Sequence, residues 1–63
     1  MPRASYVLEV ADEAERLREL GTPQPLLTAF RNTFSRPFSG SDSDWIIRLA
    51  VRDELKDRKK VVA

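Results

Sequence analysis

The sequence predicts a mainly α fold: a single small domain, residues 1–63, of three helices at about residues 5–20, 23–34 and 42–60. Three observations lead there. The two glycines, Gly21 and Gly40, divide the chain into three segments. Each segment repeats apolar residues at the three-to-four-residue spacing of a helix buried on one side. The last segment opens with serine and aspartate and closes with Arg58, Lys59 and Lys60, a charge order that suits the helix dipole.

The first helix is "SYVLEVADEAERLREL". Val7, Val10 with Ala11, Ala14 and Leu17 form its apolar stripe, and Gly21 stands where a glycine closes a helix. "YVLEV" also alternates in the manner of a strand, and its valines favour one. A short N-terminal strand over residues 5–10 is therefore the alternative. A shorter helix would follow it, capped by Asp12 with Glu15 three residues on.

The second helix is "TPQPLLTAFRNTF". Thr22 suits the N-cap and Pro23 the first helical position, where a missing N–H costs nothing. Leu26, Phe30 and Phe34 then share one face, with Leu27 beside them. The helix should end near Phe34, because Pro37 pushes Arg36 out of the helical region. "SRPFSGSDS" is a loop by composition. Its one large apolar residue, Phe38, is expected to fold back onto the core.

The third helix opens with Ser41 and Asp44 in the spacing of a capping box, with Ser43 as an alternative cap. Trp45, Ile46, Ile47, Leu49, Val51 and Leu55 cover most of its circumference. A helix apolar that far round is buried on more than one side. In so short a chain the second burying surface is expected on another molecule. Trp45 reads as core or as the anchor of a dimer interface. The strip left over is Arg48, Arg52 and Lys56. Residues 61–63 are expected to form a frayed tail.

Size and composition bound the function. A chain of 63 residues buries only about 60% of the surface it exposes when unfolded. It has no cysteine for a disulfide or a thiolate ligand, and no histidine to act as base or metal ligand. The remaining source of extra stability is another chain, so a homodimer or a docked subunit is expected. No apolar run approaches the roughly 20 residues that span a bilayer, and the start lacks the apolar core of a signal peptide. A cytoplasmic protein with no membrane partner is the expectation. Asp42 and Asp44 could be an acid–base or metal-binding pair, but helix capping explains them better. Ser35, Ser39, Ser41 and Ser43 have no histidine to activate them. The lysines lie in the polar C-terminal stretch. No catalytic residue, metal, cofactor or small-molecule substrate is expected, and the chain is not read as an enzyme.

Charge offers better leads. Net charge is +1, yet Glu9, Asp12, Glu13, Glu15 and Glu19 crowd the first helix while bases crowd the last. Asp12, Glu13, Glu15 and Glu19 point away from the apolar stripe and could meet a basic partner or simply solubilise the chain. Arg48, Arg52 and Lys56 could meet phosphates, joined by Arg31 and Arg36 if the second helix packs alongside. Otherwise they form a wet face with the local pairs Asp44–Arg48 and Glu54–Arg58.

The stretch Ser41–Arg58 resembles the second helix of ribbon-helix-helix DNA-binding proteins, antitoxins of toxin–antitoxin operons especially, in Ile47, Arg48, Ala50, Val51, Arg52 and Leu55. Thr22–Phe34 is similar to the preceding helix of that family, so the resemblance covers about residues 22–58. It implies an obligate dimer whose paired strands enter the major groove. It also implies phosphate held by backbone N–H groups at the start of the second helix. "ERLRELG" stands in the strand's place, and Arg16 and Arg18 are its candidate base readers. Two functions follow. One is a small DNA-binding regulator, antitoxin-like or a transcriptional repressor. The other is a protein–protein module: an inhibitor, adaptor or small subunit of a larger assembly, of the kind phages and mobile elements encode.

Overall fold

The computed structural model describes residues 3–60; the expected tail at 61–63 lies outside them. Three helices make up the domain: α1 Ser5–Glu19, α2 Pro25–Phe34 and α3 Asp42–Lys60. There is no strand among the described residues, so the alternative strand over residues 5–10, and with it the cap at Asp12, gives way to one continuous helix. The reason is which side chains are buried. Val7, Val10, Ala11, Ala14 and Leu17 all enter the core. Helical spacing gathers them on one face, whereas a strand would send Val7 and Val10 to opposite faces.

The turn after α1 corrects the expected start of α2. Gly21 lies at φ 77°. Its N–H donates to the Arg18 carbonyl at 3.0 Å, and the Thr22 N–H donates to the Leu17 carbonyl at 2.9 Å. This is a Schellman close, so Thr22 finishes α1 rather than capping α2. Pro25, not Pro23, begins α2. Proline disfavours right-handed helix in the residue before it, which sets Gln24 against continuing a helix from Pro23. Gln24 adopts φ 49°, ψ 57° instead, and no side chain caps the N-terminus. At the other end Ser35 turns left-handed, with its N–H on the Arg31 carbonyl at 2.8 Å, and α2 stops at Phe34 as expected.

Both α2 and α3 pack on α1 and touch each other only slightly. The Cα trace is accordingly a slab, 36 × 31 × 16 Å. Its core consists largely of small residues. Val7, Val10, Ala11, Ala14, Leu17, Ala29, Phe30 and Val51 are buried. Leu26, Phe34, Ile47, Ala50 and Leu55 pack partly against this core.

All five aromatic residues of the chain join in one line across the slab. Ring centroids step from Tyr6 to Phe34 (6.1 Å), to Phe30 (4.6 Å), to Phe38 (5.5 Å) and to Trp45 (5.4 Å). Phe38 thus folds back as expected. All but the tilted Phe30–Phe34 pair meet edge to face, and such pairs contribute about 0.5–1.5 kcal/mol each beyond burial, which matters in so small a core. Trp45 ends the line at the surface. It is 44% exposed, with Ile46 at 67% and Leu49 at 51%. Within one chain Trp45 is therefore not core, and α3 buries a single side, through Val51 with Ile47, Ala50 and Leu55.

Candidate binding surface

The basic stripe of α3 and the acidic face of α1 were open to several partners in the sequence, and the fold sorts them. Ser41 opens α3 as a cap: its carbonyl accepts from the Trp45 N–H at 2.9 Å and its hydroxyl from the Asp44 N–H at 3.3 Å. The return half of the capping box is missing, because Asp44 is turned inward and only 1% exposed. Arg36 grips it with two parallel hydrogen bonds, Nη1 to Oδ2 at 2.8 Å and Nη2 to Oδ1 at 2.7 Å. Ser39 adds its backbone N–H at 2.9 Å and its hydroxyl at 2.7 Å. Arg36 above all, then the two Ser39 donors, holds this carboxyl well below the usual carboxylate range. Asp44 is thus a clasp between the 35–41 loop and α3, and the reading of Asp42 with Asp44 as a catalytic or metal pair falls. Among the described residues no three acidic, histidine or cysteine side chains converge as metal ligands.

Because Asp44 is taken, the expected Asp44–Arg48 pair does not form. Arg48 lies instead over two aromatic faces, Trp45 at 4.7 Å and Phe38 at 5.4 Å. The Glu54–Arg58 pair does form, at 2.7 Å, and Arg58 also reaches Asp12 at 2.8 Å and Glu15 at 3.4 Å. Arg3 joins the same seam through Glu54 at 2.7 Å and Asp57 at 2.8 Å. Arg58 and then Arg3 lower the Glu54 carboxyl, while Glu54 foremost raises the Arg58 guanidinium. Glu13 is drawn to about 2, chiefly by Arg16 and then by Asn32. The free acidic face expected on α1 is therefore largely tied up. Asp12 and Glu15 serve Arg58, Glu13 serves Arg16, and Glu19 remains without an ion pair among the described residues.

The cations fare differently. Arg18, Arg52, Lys56 and Lys59 line a groove of about 390 Å³ between the end of α1, the start of α2 and the second half of α3. Its floor is apolar, from Ala14, Pro25, Leu26 and Leu55, and Glu15 is the only acid on its wall. None of those four cations takes a carboxylate among the described residues. Arg31 stands by a neighbouring hollow with Leu27, Thr28, Pro37 and Phe38.

The seven cations singled out in the sequence are thus divided, Arg36 being taken by Asp44. Arg18, Arg52 and Lys56 come together. Arg48 is stacked on aromatic rings, and Arg31 lines a separate hollow with Phe38. Arg16 is held by Glu13 through two hydrogen bonds of 2.8 Å. Lys59 was missed, because it read as part of the dipole-matching C-terminus. The signal was its spacing, seven residues after Arg52 and so on the same face.

No described helix is long and apolar enough to cross a membrane. Comparison with protein-family models, with curated proteins and with solved structures gives no match for this chain.

Proposed function

We propose that this chain is a small non-enzymatic regulator that binds DNA as a dimer, in the manner of an antitoxin or a transcriptional repressor. The observation that supports it is the sorting of charge. Carboxylates gather on the α1–α3 seam, where Arg3 and Arg58 satisfy them, and the groove keeps Arg18, Arg52, Lys56 and Lys59. A net charge of +1 conceals this basic side. From Arg52 to Lys59, the groove's cations on α3, the helix runs about 10 Å at 1.5 Å per residue. Duplex DNA carries one charge per roughly 1.7 Å of its axis, so several phosphates lie within reach. Each one neutralised releases counterions, which makes affinity fall with salt.

Arg18 is the proposed base reader, because it shares the groove while Arg16 is held by Glu13. The ribbon-helix-helix resemblance would place a reading strand before Thr22. Those residues are the last turn of α1 and its Schellman close, so the reading element proposed is helical. Phosphate is not placed at the start of α3 either, since Asp42 and Asp44 occupy that turn. The test is a titration of labelled duplex from the region upstream of the protein's own coding sequence, against random duplex. Tighter binding to the former is expected, and Arg18→Ala should relax that preference by about 1–3 kcal/mol at the affected position. Equal binding to both duplexes would end the regulator reading.

A second reading rests on the groove's apolar floor. Ala14, Leu26 and Leu55 between flanking cations also suit an acidic, partly apolar segment of a protein partner. An inhibitor, adaptor or subunit function would then take the place of DNA binding.

A further inference from the structure

The outer face of α3 carries Asp42, Leu49 and Lys56, three exposed residues seven apart. Seven residues make nearly two helical turns, so these side chains stand in one row. Trp45 and Ile46 flank Leu49, and the patch they form is 44%, 67% and 51% exposed at Trp45, Ile46 and Leu49. Solvent-facing apolar patches of this kind mark interaction sites. The row therefore reads acid, apolar, base along the helix. Asp42 and Lys56 take no ion pair among the described residues.

Such a row complements itself when reversed. We infer that the occupant of this face is a second copy of the chain, packed antiparallel about a two-fold axis at Leu49. That axis places Leu49 on Leu49 and brings Asp42 of each copy to Lys56 of the other. Parallel packing would set Asp42 against Asp42 and Lys56 against Lys56, so charge selects the antiparallel arrangement. A two-fold contact uses one patch on both copies, which is what a single face of this composition can supply. The clasp of Asp44 with Arg36 and Ser39 supports it by fixing the first turn of α3, which carries Asp42 and Trp45. Lys56, on the rim of the basic groove nearest the patch, then serves the dimer. Arg18, Arg52 and Lys59 stay with the groove, one set on each flank of the pair. The inference rests on the dimeric part of the proposed function and not on DNA.

Sedimentation of the full chain at low salt tests it. Three partly exposed apolar side chains offer less than the roughly 800 Å² per partner of stable complexes, so a dissociation constant on the order of 10–100 µM is expected. Leu49→Asp should give a monomer with unchanged helicity, because Leu49 bears little of the fold. Asp42→Lys and Lys56→Asp should each weaken the dimer about 5- to 10-fold, and the two together should restore it to within about 2-fold. A wild-type monomer up to about 1 mM would overturn the inference. So would single reversals without effect, or a double reversal that fails to restore. DNA titration of the same samples separates the two proposals. A dimer that ignores DNA keeps this inference and removes the DNA reading; a monomer that binds DNA overturns this inference together with the dimeric part of the proposed function, and keeps only its DNA-binding part.

Discussion

On one side of α3, at the seam with α1, Arg58 reaches three carboxylates and Arg3 reaches two. On the other side, above the groove, Arg18, Arg52, Lys56 and Lys59 share the single acid Glu15, itself already turned to Arg58. The same residue types, a few turns apart, do opposite work. At the seam the cations are spent inside the fold. At the groove they take no carboxylate among the described residues and stand over an apolar floor. Net charge describes neither side. Where the acids lie around α3 decides which arginines hold the protein together and which are left to meet something else.

The largest effect should come from the clasp that anchors this arrangement. Asp44→Ala removes the carboxylate that Arg36 and both Ser39 donors use, and frees the start of α3. In so small a domain a fall in Tm of at least about 10 °C is expected, read by circular dichroism. Acid should do the same by titration. The carboxyls of Asp44, Glu13 and Glu54 are lowered in the folded chain, so the unfolded chain binds more protons as pH falls. Their contribution is complete above about pH 5, near the upper edge of the unfolded carboxyl range, and is lost progressively as pH falls through their lowered folded-state values, last of all at Asp44. Denaturant unfolding at stepped pH should show that decline, and Asp44→Ala should flatten it.

At the seam the expected effect is smaller. Arg58→Ala breaks three partly exposed ion pairs, and the loss should be about 1 kcal/mol, or 4–8 °C in Tm. On the groove side the smallest effect is expected. Arg52→Ala should move Tm by no more than about 2 °C, because Arg52 is exposed and unpaired among the described residues. A large loss of stability at Arg52, or none at Arg58, would break the contrast.

Much of the fold was legible. The burial of Val7, Val10, Ala11, Ala14 and Leu17 followed from spacing, the stop at Phe34 from Pro37, and the return of Phe38 from its being the one large apolar residue of its loop. The start of α2 was misplaced because two prolines compete there. Pro25 decides, through the conformation it disfavours in Gln24, and cap preference at Thr22 cannot show that. The site was less legible. The helical stripe Arg48, Arg52, Lys56 was visible, but local spacing suggested Asp44 for Arg48. It could not reveal that Arg36, eight residues earlier, would take Asp44 across a loop. Likewise Arg58 found Asp12 and Glu15, far away in sequence. Which acids neutralise which bases is a tertiary property, and the basic groove exists only as its remainder.

The most direct measurement of that claim is the salt dependence of duplex binding by Arg52→Ala and Arg58→Ala, side by side. Each variant loses one positive charge, so net charge alone treats them alike. The account predicts that the slope of log affinity against log salt becomes shallower by about one for Arg52→Ala and stays at the wild-type value for Arg58→Ala. Equal changes in both variants, or a change confined to Arg58→Ala, would contradict it.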